Sequence, residues 1–269
     1  MQLAPEINLQ DSAHRLETRT ILSIFAPQFR KEPMKNTPRY AFIYFDIDDT
    51  LLDHKAAEQA ALEQTRRQRT YLHHIATETL QQTYHRINAG LWKQYGEGHI
   101  DRAFLESSRF AWTLRDLGTD LEHADDFRET YMGLYERNWD WIPGAKQALT
   151  LISRHYPVGF LTNGFSEVQQ KKADRFALMD LTSQYIISED VGCMKPMAGI
   201  FEYATRRAGV RPDEILYVGD SLTSDIQGGA SFGWHTAWFN RVQPDQHHHG
   251  AVLSFNDFAQ LLAHLNIQG

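Results

Sequence analysis

Two acidic residues follow the first apolar run of the sequence, at a spacing that lets both act at one site. The run Tyr40–Phe45 is apolar and aromatic and predicts a buried strand. Asp46 and Asp48 come directly after it. Residues two apart in an extended segment point to the same side, so both carboxylates can face one ligand. The ordinary alternative is a helix N-cap made by Asp49 or Thr50, but a cap needs only one such residue.

Three further polar stretches also follow predicted strands. Thr162 and Asn163 offer a hydroxyl and an amide that suit phosphate oxygens, although Thr-Asn-Gly is also common turn chemistry. Lys195 precedes a proline, a place where a surface lysine is the ordinary interpretation. Asp220 and Asp225 lie at the start of a predicted helix, just after an apolar run. Each stretch is weak alone, and the case for a site depends on their meeting.

Open α/β sheets bind ligands at the carboxyl ends of their strands, which is where all four stretches are expected to lie. The carboxylates gathered there would be those of Asp46, Asp48, Asp220 and Asp225. Two such charges about 4 Å apart repel by roughly 4 kcal/mol at an effective dielectric of about 20, so a cation or a lysine must neutralise them. All-oxygen ligation favours Mg²⁺, which accepts carboxylates together with a substrate phosphate. Lys195 and the ion would together screen the charge of that phosphate from an attacking carboxylate.

The elements that must position these residues fall into two patterns. From Lys55 to about Trp139 apolar residues recur at helical spacing. After Pro143, strands predicted at 158–161, 185–187, 215–218 and 235–239 alternate with predicted helices. The sequence therefore predicts an α/β fold, with a doubly wound parallel sheet and an inserted all-helical cap. The predicted domains are an extension over 1–38, a catalytic core over 39–54 and 143–269, and the cap over 55–142.

Composition narrows the function classes. Hydrophobic residues make up 42% of the 269 residues, and the formal net charge is -7. No basic stripe invites a nucleic acid polymer, and no apolar run approaches a membrane span. Cys193 is the only cysteine, which fits a reducing compartment, and we expect a cytoplasmic protein. Residues 1–33 are interpreted as an appendage without a catalytic part, with a partner-docking helix as the alternative and Met34 as a candidate second translation start. The sequence leaves the oligomeric state open.

In this order, the four stretches resemble the four motifs of the haloacid dehalogenase superfamily. The resemblance implies that Asp46 forms an aspartyl-phosphate intermediate. It implies that Asp48 is the general acid toward the leaving group and then the base toward water. Thr162 and Lys195 would bind the transferring phosphoryl group, with Asn163 assisting near the substrate.

The resemblance also implies how the ion is held and what the cap does. Asp46, the backbone carbonyl of Asp48 and Asp220 would ligate Mg²⁺, with Asp225 in the outer coordination sphere. The dehalogenases lack an acid at the position of Asp48, so an acid there fits phosphoryl chemistry. The inserted helices are similar to a C1-type cap, which closes over the cleft, excludes water and contacts the leaving group.

A finer resemblance, to YjjG-type pyrimidine 5'-nucleotidases, suggests the substrate. It is carried by Ile87–Trp92, Gly98, Arg109–Phe110, Ser188–Gly192, Lys195–Pro196 and Gly219–Gly229. It implies hydrolysis of dUMP, dTMP, UMP and non-standard pyrimidine nucleotides. Trp92 and Phe110 could stack on a base, and Asn88 or Arg109 could hydrogen-bond its edge or the sugar, although aromatic residues at helical spacing are most often core.

A phosphomutase is disfavoured, because it must shield its phospho-aspartate from water and the sequence does not show such shielding. Two alternatives stay open at this point. One is a phosphatase for another small metabolite, such as a sugar phosphate or phosphoglycolate. The other, from a different class, is a catalytically retired fold that serves as a binding module. The complete set of acids together with Lys195 argues against retirement.

Overall fold

The computed structural model describes residues 40–241 and 249–268. Six strands of this part form one parallel sheet in the order β3-β2-β1-β4-β5-β6. The strands are β1 Phe42–Phe45, β2 Val158–Thr162, β3 Tyr185–Ile187, β4 Ile215–Gly219, β5 His235–Phe239 and β6 Leu253–Phe255. The first, second and fourth are buried along their whole length, as expected for central strands covered on both faces.

Ten α-helices accompany the sheet in the described residues. They are α1 His54–Gln68, α2 Thr77–Gly96, α3 Arg102–Asp116, α4 Ala124–Arg137, α5 Ala145–Ser153, α6 Ser166–Arg175, α7 Ser188–Val191, α8 Ala198–Ala208, α9 Gly228–Phe232 and α10 Phe258–His264. A π-helical turn over Leu222–Gln227 precedes α9. Helices α1 to α4 all lie between β1 and β2, and they enclose an apolar cluster of their own in which Tyr84, Phe110 and Phe127 are fully buried. This block matches the helical pattern of the sequence, whereas the exact domain division stays a prediction.

The chain leaves the sheet for this helical block and returns to it at one place. Leu52 pairs with Trp141 in an antiparallel bridge. The amide of Ile142 donates to the carbonyl of Leu51 at 2.8 Å, and the amide of Asp53 donates to the carbonyl of Asp140 at 3.0 Å. Outgoing and returning segments are therefore hydrogen-bonded to each other beside the carboxyl end of β1.

The strand order reverses direction at β1, which has β2 on one side and β4 on the other. At such a switch point the loops after adjacent strands diverge and leave a crevice. The loops after β1, β2 and β4 carry Asp46, Asn163 and Asp220, respectively. The topology thus brings three of the four polar stretches to one edge of the sheet.

The predicted α/β fold with a doubly wound parallel sheet is confirmed. Strand β6 and helix α5 are additional elements that the sequence patterns did not predict. Within the described residues, no helix combines the length and apolar composition needed to cross a bilayer. The predicted extension over 1–38 lies outside the described residues.

Candidate active site

Asp46 occupies the first position after β1, and its carboxylate is held from two sides. Its backbone amide donates to the carbonyl of Val218 at 2.9 Å, which continues the hydrogen bonding to β4. Thr50 donates its hydroxyl to Asp46 Oδ2 at 3.0 Å, and Lys195 donates to Oδ1 at 2.6 Å. Asp53 is the N-cap of α1 and accepts from the amide of Ala56, while Asp49 Oδ1 accepts from the amide of Lys55 in the first turn at 2.9 Å. The predicted capping contact is therefore made by Asp49 and not by Thr50. The acid at position 46 is 5% exposed and fixed in orientation.

Lys195 is buried at the centre of the site. Its ammonium lies 2.6 Å from Asp46, 2.8 Å from Asp225, 2.7 Å from the Tyr217 hydroxyl and 3.1 Å from the Leu161 carbonyl. These are four acceptors for three protons, so no ammonium proton lacks a partner. Burial would lower the pKa of Lys195, but the carboxylates of Asp225 and Asp46 raise it above its ordinary value, so the side chain is charged.

Three carboxylates meet beside this lysine. Asp46, Asp220 and Asp225 each offer an oxygen, and these oxygens lie within 4.8 Å of one another. Asp225 accepts from the amide of Ser221 at 3.0 Å. It packs so closely against Gly219 that a Cβ there would lie 2.5 Å from the Asp225 side chain, so the strand must end in glycine.

The electrostatics of this cluster call for a cation. Burial raises the pKa of Asp46 to about 7; Lys195 opposes the rise, while Asp225 adds to it. Burial and then the charges of Asp46 and Asp225 raise the pKa of Asp220 to about 8. Carboxyl groups this crowded hold protons near neutral pH unless a positive ion replaces them. A buried set of carboxylate oxygens with no nitrogen or sulfur donor fits Mg²⁺ better than Zn²⁺.

Asp48 lies outside this cluster and takes different partners. Its Oδ1 accepts from Lys172 at 2.6 Å, and its Oδ2 accepts from Gln169 at 2.8 Å. Burial alone would raise the pKa of Asp48, but the charge of Lys172, helped by His54, outweighs burial and holds the pKa below its usual value. Its predicted part in metal binding concerns the backbone carbonyl and not this carboxylate.

Thr162 and Asn163 occupy the end of β2 and the following loop. Thr162 is 1% exposed, and among the described residues its hydroxyl makes one hydrogen bond, a long one of 3.5 Å to the carbonyl of Asn163. The side-chain amide of Asn163 makes two hydrogen bonds with the backbone of Lys195. Its nitrogen donates to the Lys195 carbonyl at 3.0 Å, and its oxygen accepts from the Lys195 N–H at 2.9 Å. Asn163 therefore positions the lysine segment, and the predicted substrate contacts of both residues stay predictions.

A cavity of about 720 Å³ opens above these groups, between the sheet edge and the helical block. Asp48, Asn163 and Lys195 line one side of it. Its opposite side includes Asn88, Trp92 and Arg109, three of the four residues predicted from the helical block. Phe110 differs: it is 1% exposed and packs against Tyr84, Phe127 and Tyr131 inside the block, so it does not line the cavity.

Several residues of the site escaped the sequence reasoning. Lys172 and Gln169 are three apart on α6, on the face that also buries Ala173. A lysine and a glutamine at i and i+3 on an otherwise apolar helix face are a usable sign of a buried polar contact. Tyr217 gave no such sign, because a tyrosine in a buried strand is ordinary core.

With this geometry established, comparison with known proteins identifies the family. Residues 40–233 match the model of the haloacid dehalogenase-like hydrolase family, and the chain belongs to that family. The prediction of a hydrolytic enzyme of this superfamily is thereby confirmed.

Among its relatives, pyrimidine 5'-nucleotidase YjjG of Escherichia coli K12 is 34% identical over 215 residues, covering 77% of this chain and 90% of that protein. A glyceraldehyde 3-phosphate phosphatase of Pyrococcus furiosus is 31% identical over 210 residues, covering 75% of this chain and 81% of that protein. Among solved structures, the HAD-hydrolase YfnB of Bacillus subtilis bound to magnesium is 30% identical with a TM-score of 0.75, covering 85% of this chain and 100% of that chain.

Proposed function

We propose that this protein is a Mg²⁺-dependent phosphomonoesterase that forms an aspartyl-phosphate on Asp46, with pyrimidine nucleoside 5'-monophosphates as its substrates. The observation that carries the proposal is the position of the Asp46 carboxylate, beside the Lys195 ammonium and among the acids Asp220 and Asp225. The pyrimidine nucleotidase and sugar phosphatase activities named for the relatives support phosphate monoesters as the substrate class.

The charges of the site suit attack by a carboxylate on a phosphate dianion. Asp46, Asp220 and Asp225 would hold Mg²⁺, which supplies neutralisation of the phosphate oxygens when it is bound. Lys195, charged and buried beside Asp46, would also stabilise negative charge on the transferring group. In the first step, an oxygen of Asp46 forms a bond to phosphorus as the bond from phosphorus to the ester oxygen breaks.

Asp48 handles the proton in both steps. As the first ester bond breaks, its carboxyl group gives a proton to the leaving oxygen. Asp48 then takes a proton from the water whose oxygen bonds to phosphorus as the Asp46–phosphate bond breaks. Lys172 keeps Asp48 ionised in the present arrangement, which suits the second step. A bound phosphate dianion raises the pKa of a nearby carboxyl group and so favours the protonated form that the first step needs.

The cavity supports a nucleoside as the leaving group. Its volume of about 720 Å³ lies within the roughly 300–1,000 Å³ of small-molecule sites. Trp92 and Phe165 line it with ring centroids 4.8 Å apart, and together they offer an aromatic surface for a base.

Arg109 is the polar group best suited to recognise a base or sugar in this cavity. Its only hydrogen bonds within the described residues are long ones, 3.4 Å to Asn88 and 3.9 Å to the Met132 sulfur. Its Nε is buried without a partner there. An arginine in a cavity wall whose N–H groups lack short hydrogen bonds can donate to the carbonyl oxygens of a pyrimidine.

A substrate panel tests the proposal. With Mg²⁺ present, we expect faster hydrolysis of dUMP, dTMP and UMP than of purine monophosphates, glyceraldehyde 3-phosphate or phosphoglycolate. Preference for a sugar phosphate would support the second candidate function, a sugar-phosphate phosphatase, which the similarity to a glyceraldehyde 3-phosphate phosphatase favours. Hydrolysis of none of these esters would refute the enzyme class.

The nucleophile is tested with Asp46→Asn. Because a carboxamide does not attack phosphorus, turnover should fall to background while the protein stays folded. The structural reason to expect folding is that the amide oxygen can still accept from Lys195. The amide nitrogen can donate to the Thr50 hydroxyl, which turns to accept in place of its present donation. The measurement is turnover of Asp46→Asn with the best ester of the panel, and circular dichroism is the folding control. Activity near that of the wild type would remove the covalent step.

A further inference from the structure

A second buried lysine lies at the edge of the cavity, outside the group of acids that would hold the ion. Lys172 belongs to α6 and is 1% exposed. Its ammonium donates to Asp48 Oδ1 at 2.6 Å and to the Tyr135 hydroxyl at 3.1 Å. Burying an ammonium is costly unless it is paired, so its place here depends on these partners.

Lys172 sits in a socket built by the end of the helical block. Its ammonium lies 5.5 Å from the ring centroid of Tyr135 and 5.3 Å from that of Trp139. Tyr135 in turn shares a hydrogen bond of 2.7 Å with His54, at the start of α1. The lysine is thus anchored on one side to α4 and on the other to the acid at position 48.

Lys172 and Gln169 together fix the plane of the Asp48 carboxylate. Each occupies one of its oxygens, at 2.6 Å and 2.8 Å. A carboxylate oxygen has two lone-pair sites, so each oxygen can still accept another bond. The side chain of Asp48 is 24% exposed, and the residue lines the cavity, so those free sites are accessible to a ligand.

We propose that Lys172 is a positioning residue, which holds the carboxylate of Asp48 in the orientation needed for proton transfer to the leaving group and from the attacking water. The inference rests on the proposed phosphomonoesterase function and adds a residue outside its motifs. A purely stabilising role accounts less well for the arrangement, because buried ion pairs are often matched or exceeded in stability by apolar residues of similar volume. An apolar residue would fill the socket between Tyr135 and Trp139 but would leave the Asp48 carboxylate bonded to Gln169 on one oxygen and unanchored on the other.

The test compares Lys172→Met with Lys171→Met in the full-length enzyme with Mg²⁺. Lys171 is the matched control, since it is the adjacent lysine of the same helix, is 46% exposed and pairs with Glu136 and Glu167. A catalytic group displaced by about 1 Å loses roughly 100-fold in rate. We therefore expect kcat of Lys172→Met on dUMP to fall about 100-fold, with KM nearly unchanged, and Lys171→Met to behave as the wild type.

A substrate with a good leaving group distinguishes misplacement of the Asp48 carboxylate from a general structural defect of the active site. p-Nitrophenolate departs without a proton, so the first step on p-nitrophenyl phosphate does not need Asp48, whereas attack by water does. In Lys172→Met we expect a rapid burst of p-nitrophenol, stoichiometric with enzyme, followed by slow turnover as phosphorylated Asp46 accumulates. Tyr135→Phe, which removes only the hydroxyl 3.1 Å from the ammonium, should show the same pattern to a smaller degree.

Each alternative outcome is distinct. A kcat within a few-fold of the wild type in both Lys172→Met and Tyr135→Phe would overturn the inference. A raised KM with unchanged kcat would make Lys172 a substrate-binding group, and equal loss of burst and turnover would make its role structural; either result overturns it. A wild-type enzyme that hydrolyses no phosphate monoester would refute the proposed function, and the inference with it.

Discussion

The hydroxyl of Tyr217 offers a quantitative test of how the central lysine is held. It lies 2.7 Å from the ammonium of Lys195, 3.1 Å from Asp225 Oδ1 and 3.0 Å from the Leu161 carbonyl. Burial raises the pKa of Tyr217 far above its usual value, so the hydroxyl keeps its proton. The hydroxyl accepts from the lysine and donates to one of the two oxygens. Tyr217→Phe removes both bonds while leaving the ring in place.

The expected magnitude follows from counting donors. Without the hydroxyl, the three protons of Lys195 still have three acceptors, namely Asp46, Asp225 and the Leu161 carbonyl. No donor is orphaned, so the net loss is about one hydrogen bond to a charged group. Such a bond contributes about 1.5–3 kcal/mol to the free energy of unfolding.

Tyr44→Phe is the matched control. Tyr44 pairs with Tyr217 in the register of β1 and β4, and both are fully buried. Its hydroxyl donates only to the neutral carbonyl of Ala204, at 2.9 Å, so its loss should cost about 0.5–1.5 kcal/mol.

Urea unfolding followed by circular dichroism gives both free energies, and turnover on the best ester gives the second readout. We expect Tyr217→Phe to be the less stable variant. We also expect about tenfold slower turnover for it, equivalent to about 1.4 kcal/mol in the barrier, and none for Tyr44→Phe. Equal destabilisation of the two variants together with wild-type turnover in Tyr217→Phe would refute this account of how the lysine is held.

Three other predictions concern the Mg²⁺ ion, the cavity and residues 1–33. Because the pKa values of Asp46 and Asp220 are raised to about 7 and about 8, protons compete with Mg²⁺, so its apparent affinity should rise from pH 6 to pH 8 in calorimetric titrations; a pH-independent affinity would contradict this. Arg109→Met should raise KM for dUMP about tenfold, the effect of losing one hydrogen bond to a charged group, with little change for p-nitrophenyl phosphate; equal effects on both would remove the proposed contact. Deleting residues 1–33 should leave kcat nearly unchanged, because the residues proposed for the chemistry begin at Asp46. A large loss of kcat measured on the same ester would show that residues 1–33 contribute to catalysis.

The sequence was most informative where chemistry follows directly from a strand end. Buried strands are recognisable as apolar runs, and parallel strands end at one edge, so the meeting of Asp46 and Asp220 could be anticipated. Lys195 reaches the same edge from beyond the short helix α7, which the sequence patterns did not predict. The predicted roles of these residues await the experiments above.

Partners contributed by helices could not be anticipated in the same way. Whether Lys172 reaches Asp48 depends on the rotation of α6 against the sheet, which is set by tertiary packing. The same limit explains Arg109 and Phe110. Adjacent helix residues point about 100° apart, and only the packing of α3 decides that Arg109 faces the cavity and Phe110 the interior.

The hydrogen bonds that join the outgoing and returning segments at the base of the helical block bear on how enzymes with this fold acquire new substrates. Asp53 and Asp140 are hydrogen-bonded to each other. The helical block is therefore an insertion whose first and last residues meet at one place beside the sheet. Its length and shape can drift without shifting the strands that carry the acids. Foreign helices grafted between these two positions should therefore redirect the enzyme toward other esters, provided that the graft keeps His54, Tyr135 and Trp139, which surround Lys172.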